Sequence, residues 1–172
     1  MLALLGRHVK LRKLFEGLQK MRRYSLLFVV PIVFLLDRLS KVYIKSFIPV
    51  NEGIECTPIF SLVHVRNYGG AFSILSSWGY SPLVFTVLPL AIVGVLIFFL
   101  IRINLPSLER VALLLIIGGA LGNLYDRIAV GYVIDFLDFH YGNLHWPAFN
   151  LADASITTGV FLWIFVEMRK RR

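Results

Sequence analysis

The chain has 172 residues, 58% hydrophobic and only 16% charged, whereas soluble domains carry about a quarter charged residues. At about 20 residues per span, this length allows four or five membrane helices with short loops and excludes a large extramembrane catalytic domain. A net charge of +8 raises nucleic acid as a partner, while a single cysteine, Cys56, excludes a disulfide framework or a cysteine-rich zinc site.

Residues 1–23 space Leu2, Leu5, Leu14, Leu18 and Met21 among basic residues. The spacing suits either an amphipathic helix on an anionic leaflet or a basic tail. A first apolar run, 24–44, is interrupted late by Asp37, Arg38 and Lys41. It is too long for the core of a cleaved signal peptide and has no small-residue cleavage site, so it is expected to remain as an anchor. Between the first and second runs, Phe60-Ser61-Leu62-Val63-His64-Val65 is β-branched and aromatic and reads as a strand in a small external β element. The second run, 82–101, has no charge. The third, 111–128, turns glycine-rich at Gly118, Gly119 and Gly122 and ends on Asp126 and Arg127. Residues 131–147 are aromatic and amphipathic and are expected at the outer interface. Trp78, Tyr80, Tyr132, Tyr141 and Trp146 would form the aromatic belt there. The fourth run, 149–166, carries Asp153 near its start. The expected fold is an all-α membrane protein with four transmembrane helices, a small extracytoplasmic β element and an interfacial amphipathic segment. Its organisation is a basic extension (1–23), a membrane domain (24–168) and a basic tail (169–172).

The positive charge is distributed as topology. Arg7, Lys10, Arg12, Lys13, Lys20, Arg22 and Arg23 precede the first run, Arg102 and Arg110 flank the loop after the second, and Arg169, Lys170, Arg171 and Arg172 follow the fourth. Thirteen of the 18 Lys and Arg thus fall on one face, which places both termini in the cytoplasm. The acids Asp37, Glu52, Glu55, Asp126, Asp135, Asp138 and Asp153 fall at or beyond the outer ends of spans. This pattern argues against a nucleic-acid surface.

Ionisable residues at membrane depth are costly and mark functional sites by default. Asp37 and Lys41 are four apart on one helix face and read as an ion pair. Asn123, Asp126 and Arg127 share a face near the outer end of the third run, with Arg127 bracing other groups or reaching toward headgroups. Asn150 and Asp153 also read as a helix cap with an acidic third residue, a local role that can coexist with chemistry. The glycines of the third run read as packing positions, and Asp138 as a solvated loop carboxylate. No His-Glu-x-x-His pattern, nucleophile elbow or P-loop occurs, and His140 and His145, five apart, do not share a helix face. Cys56 has only His64 nearby. What remains is a pair of aspartates, Asp135 and Asp153. Two close carboxylates share one proton, so one can activate water while the other protonates an amide, without metal or cofactor. The helix N-terminus at Asp153 favours charge, and the apolar neighbours Ile134 and Phe136 favour a protonated Asp135.

Five segments occur in order: Asp37-Arg38-Leu39-Ser40-Lys41, Asn67-Tyr68-Gly69-Gly70-Ala71-Phe72-Ser73, Gly118-Gly119-Ala120-Leu121-Gly122-Asn123-Leu124-Tyr125-Asp126-Arg127, Val133-Ile134-Asp135-Phe136 and Phe149-Asn150-Leu151-Ala152-Asp153-Ala154-Ser155-Ile156. Together they resemble the bacterial lipoprotein signal peptidase (type II signal peptidase) family over about residues 25–167. The resemblance implies a four-span aspartic endopeptidase of the bacterial inner membrane, active at the outer membrane surface. Such enzymes remove the signal peptide from diacylglyceryl-modified prolipoproteins, cutting before the lipidated cysteine. It also implies Asp135 and Asp153 as the catalytic dyad, with Asn67, Asn123, Arg127, Asn150, Asp37, Lys41 and Asp126 as supporting or substrate-binding residues. Departures are small: Arg38 stands where Gln is common, Ser40 where Thr is common, and Gly70 where Ala is usual. The expected partners are the lipid-modified substrate and membrane lipids, with the chain a monomer and no cofactor or metal. The alternative is a small proton-coupled transporter or channel using the outer-end aspartates as a relay. The apolar inner halves of the runs argue against it.

Overall fold

The computed structural model describes Gly17, Met21, residues 23–69 and residues 81–171. Most of the basic extension, residues 70–73 of the second motif, Trp78 and Tyr80 lie outside the described residues. A short 3-10 turn, Leu26–Phe28, leads into α1 (Val29–Phe47). There follow β1 (Gly53–Thr57), β2 (Phe60–Asn67), α2 (Ser81–Arg102), α3 (Ser107–Val130), β3 (Val133–Tyr141), β4 (Leu144–His145) and α4 (Leu151–Lys170).

Three of the expected spans are helices long and apolar enough to cross a membrane: Val84–Arg102, Ser107–Val130 and Leu151–Lys170. By composition α1 does not reach that standard, because its 19 residues carry Asp37, Arg38, Lys41 and Lys45. Its burial runs opposite to that of a helix on a soluble protein. Asp37 and Lys41 are wholly buried, while Ile32, Leu35, Leu36, Leu39 and Val42 are exposed.

Helix α3 packs against α1, α2 and α4, and its glycines make the close approaches possible. A Cβ on Gly118 would stand 3.0 Å from Val33 of α1, and one on Gly122 would stand 2.6 Å from Oδ2 of Asp37. On the other side, a Cβ on Gly119 would collide with the backbone carbonyl of Ala152 in α4. Gly159 of α4 lies equally close to the Ala112 carbonyl, and the Ser155 hydroxyl donates to the Leu115 carbonyl at 2.9 Å. At the other end of this pair, just outside the apolar runs read from the sequence, the buried Glu109 meets Lys170 at 2.7 Å.

The small β element expected around residues 60–65 is present as β2, and strand structure extends beyond it, since residues 133–141 and 144–145 after α3 are strands as well. The four strands make one antiparallel sheet in the order β1-β2-β3-β4. The chain is therefore mostly helical with a four-stranded sheet. Val133, Ile134, Asp135 and Phe136 are all buried, which hides the alternation that usually betrays a strand. Both faces of β3 are occupied. Ile134 and Phe136 pack with Ile44 and Ile48 at the end of α1, while Val133 and Asp135 face a cavity. His64 of β2 fastens the sheet further, its ring Nδ1 donating to the Ile48 carbonyl at 2.7 Å.

The glycine contacts give a paired expectation. Gly119→Ala should destabilise by about 1–3 kcal/mol through overpacking against backbone, although alanine is the better helix former. Gly94, with nothing near its would-be Cβ, should gain about 0.5–1 kcal/mol on the same change. Thermal unfolding in detergent micelles measures both, and shifts of the same sign would refute the packing argument.

Candidate active site

Asn67 ends β2 opposite Val133, and Asp135 lies opposite Val65, so pairing of β2 with β3 delivers both side chains to one place. Asn123 and Arg127 come from one face of α3, and Asp153 from the first turn of α4. These five residues line one cavity of roughly 250 Å³. Its remaining wall includes Trp146, Pro147, Ala148 and Phe149. The cap predicted at Asn150 is present in both directions. The Asp153 N–H donates to the Asn150 side chain at 2.9 Å, and the Asn150 N–H donates to Asp153 Oδ2 at 3.3 Å.

Three asparagine amides hold the two carboxylates. Asn67 Nδ2 donates to Asp135 Oδ2 at 2.8 Å, and Asn150 Nδ2 to Asp135 Oδ1 at 2.7 Å. Asn123 Nδ2 donates to Asp153 Oδ1 at 2.7 Å. The Asn123 oxygen in turn accepts from Lys41 Nζ at 3.0 Å and from Asn150 Nδ2 at 3.2 Å. An ammonium group only donates, so it turns the Asn123 oxygen toward itself and the amide N–H toward Asp153.

Lys41, Asp37 and Asp126 do not line the cavity; they form the layer beneath it. Lys41 Nζ stands 2.7 Å from Asp37 and 2.7 Å from Asp126, and Arg38 also pairs with Asp126. Two acids and two cations thus balance inside the protein. The second oxygen of Asp37 accepts the Ala152 N–H at 3.0 Å, tying α1 to the start of α4. Arg127 lies over the Phe85 ring at 5.8 Å, and its buried Nε has no hydrogen-bond partner among the described residues.

Burial pushes the Asp135 carboxyl up from its ordinary 3.8 to about 7. The neighbouring Asp153 adds to the rise, while the amides of Asn67 and Asn150 and the charge on Lys41 oppose it. A carboxylic acid that titrates near neutrality beside a second carboxylate can share one proton with it.

The reading of Asp138 as a solvated loop carboxylate is corrected. It lies in β3, is 7% exposed, and faces His145 Nδ1 at 3.0 and 3.1 Å. His140 and His145 pair across β3 and β4 with stacked rings. Among the described residues, no group of three or more His, Cys, Asp or Glu is arranged to hold a metal ion. Cys56 is exposed on β1. Sequence reasoning missed the Asp138–His145 contact, the wall at residues 146–149 and the part played by Arg38. The Gly142-Asn143 dipeptide between Tyr141 and Leu144 is a hairpin signal from which the first two could have been found.

A model of the family described as Signal peptidase (SPase) II matches residues 29–169. A lipoprotein signal peptidase of Paraburkholderia phymatum is 44% identical over 145 residues, covering 84% of this chain and 87% of that protein. One from Aeromonas hydrophila is 42% identical over 149 residues, covering 85% and 89%. A solved bacterial membrane enzyme superposes with a TM-score of 0.76 at 30% identity, covering 86% of this chain and 89% of its own. With the five motifs in order, the cavity they build and a family match over nearly all of the described residues, the chain belongs to the signal peptidase II family.

Proposed function

We propose that this peptidase removes the signal peptide from diacylglyceryl-modified prolipoproteins by cutting before the lipidated cysteine, with Asp135 and Asp153 as an aspartic dyad. The observation that carries the reading is the shared cavity, in which both carboxylates are held by amide donors and Asp135 titrates near 7. In the resting enzyme Asp153, at a helix N-terminus and accepting two N–H bonds, carries the charge. Asp135 carries the proton. Asp153 takes a proton from water as the water oxygen attacks the scissile carbonyl carbon, and Asp135 gives its proton to the carbonyl oxygen. The tetrahedral diol then collapses. Asp135 recovers its proton, the C–N bond breaks, and the leaving amine takes the proton held by Asp153. Asn67, Asn123 and Asn150 orient the two carboxyls, and Arg127 lies where it can face developing negative charge. Asp37, Lys41 and Asp126 act from beneath by fixing the polarity of Asn123.

Helix α1 serves as a fourth span in this reading, its charges turned inward and its leucines turned to lipid. The bias of basic residues puts both termini in the cytoplasm and the dyad at the outer surface of the bacterial inner membrane. There, the lipid on the substrate cysteine would hold the scissile bond at the depth of the cavity.

Asp135→Asn and Asp153→Asn should each lower turnover by about a thousandfold while leaving a folded protein, since an amide is neither acid nor base at neutral pH. Cleavage of a lipidated prolipoprotein in detergent measures this. Retention of a tenth of wild-type activity in either folded variant counts against the dyad.

The pH dependence follows from the sign of the shift. Asp135 holds its proton more tightly in the folded protein than in the unfolded chain, so its share of stability is complete below about 3.8 and is lost as the pH rises toward 7. Activity that needs this proton should fall on the alkaline side with an apparent pKa near 7 belonging to the pair. A profile of kcat/KM flat to strongly alkaline pH would contradict it.

Lys41→Met should leave two buried acids undercompensated, costing about 3–5 kcal/mol of stability, and should free Asn123 to reverse its amide. Thermal unfolding and activity per folded molecule should both fall. An unchanged melting temperature would remove Lys41 from this role.

A further inference from the structure

The cavity wall at residues 146–149 carries no catalytic side chain, yet any peptide bound at the dyad lies against it. This stretch is attached to the sheet from its two ends. At the far end, the Phe149 N–H donates to the Leu137 carbonyl at 3.1 Å, and the Phe149 carbonyl accepts from Phe136 and Leu137 at 3.0 and 2.8 Å. At the near end, the Trp146 N–H donates to the Phe139 carbonyl at 2.8 Å. Proline has no N–H to add at position 147. Immediately before the wall stands His145, held side chain to side chain by Asp138.

We propose that Asp138 and His145 form a latch that positions the Trp146–Phe149 wall, and through it the substrate chain, for the peptidase reaction. Asp138 sits on the same β3 face as Ile134 and Phe136 but is not part of the cluster that seats the sheet on α1. Both of its carboxylate oxygens lie within hydrogen-bond distance of His145 Nδ1. A carboxylate only accepts, so Nδ1 carries the proton and donates. The His145 ring also stacks on His140, whose Nε2 stands 3.0 Å from the Ser61 hydroxyl, so the latch is continuous with β2. A buried carboxylate with one side-chain partner among the described residues makes that partner's position costly to change. The latch thus adds a side-chain tie between β3 and the wall, beside the Phe139–Phe149 ring stack at 5.9 Å. Neither residue touches the reacting atoms, so both are positioning residues. The inference rests on the dyad reading for the site of cleavage.

Asp138→Ala, His145→Ala and the double variant test it, with kcat and KM measured per folded molecule on a lipidated prolipoprotein. Each single variant should lower kcat/KM roughly ten- to a hundredfold, as expected for a displaced substrate chain, and the double should do no worse than the singles. The alkaline limb of the pH profile should stay in place, because the dyad itself is untouched. A second readout needs no catalysis. With Trp78→Phe and Trp163→Phe, Trp146 is the sole tryptophan, and its fluorescence anisotropy should fall in both latch variants. Unchanged anisotropy, single variants within twofold of wild type, or losses that multiply in the double variant would each overturn the latch. Should Asp135→Asn prove active, the dyad reading would fall, and the anisotropy would still decide whether the pair holds the wall.

Discussion

A single buried ammonium group organises this molecule. Lys41 has no solvent exposure and meets Asp37, Asp126 and Asn123 at hydrogen-bonding distance. A charge so placed is tolerable only with near-ideal partners. Those partners come from the same helix and from α3, and Asp37 reaches on to the backbone of α4. Three helices are thereby pinned at the level where the aspartates emerge. Arg38 completes the balance at Asp126 and also stacks 4.6 Å above the Tyr125 ring, so the outermost charge of the cluster is held against an aromatic face.

The site depends on two kinds of support. The helices approach closely enough to place Asn123 beside Asp153 only because Gly119 and Gly122 offer no side chain to keep α4 and Asp37 away. The sheet contributes Asp135 by alternation at the start of β3, with Ile134 and Phe136 seated on α1 and Val133 and Asp135 facing the cavity. Asn150 joins the two systems. It caps α4 with its oxygen and uses its amide nitrogen to hold Asp135, so the start of a helix and the orientation of a strand carboxyl are set by one side chain.

Much of this was legible before any coordinates. The four-residue interval between Asp37 and Lys41 announced their pairing, Asn150 followed by Asp153 announced the cap, and the glycines of α3 announced close packing. Ordered motifs pointed to Asp135 and Asp153, which the structure brings to one cavity. The strand β3 was not legible, because a segment buried on both faces shows no alternation to read. Asp138 was misread for a related reason. Its partner is seven residues on, across a hairpin whose existence had to be known first. The pairing of Arg38 with Asp126 was not legible either, since their 88 positions of separation leave no local spacing to read.

The inward-facing charges of α1 also bear on biogenesis. Where α1 crosses the bilayer, it emerges from the ribosome long before Asn123, which lies 82 positions beyond Lys41. Until α3 follows, the helix has only its own Asp37 with which to cover the ammonium. The i,i+4 pair therefore serves as a temporary chaperone for α1, lowering the cost of entering lipid before its lasting partners exist. Insertion and maturation would then be separable events: the first helix can be delivered early, and the buried cluster around Lys41 is completed only when α3 arrives beside it.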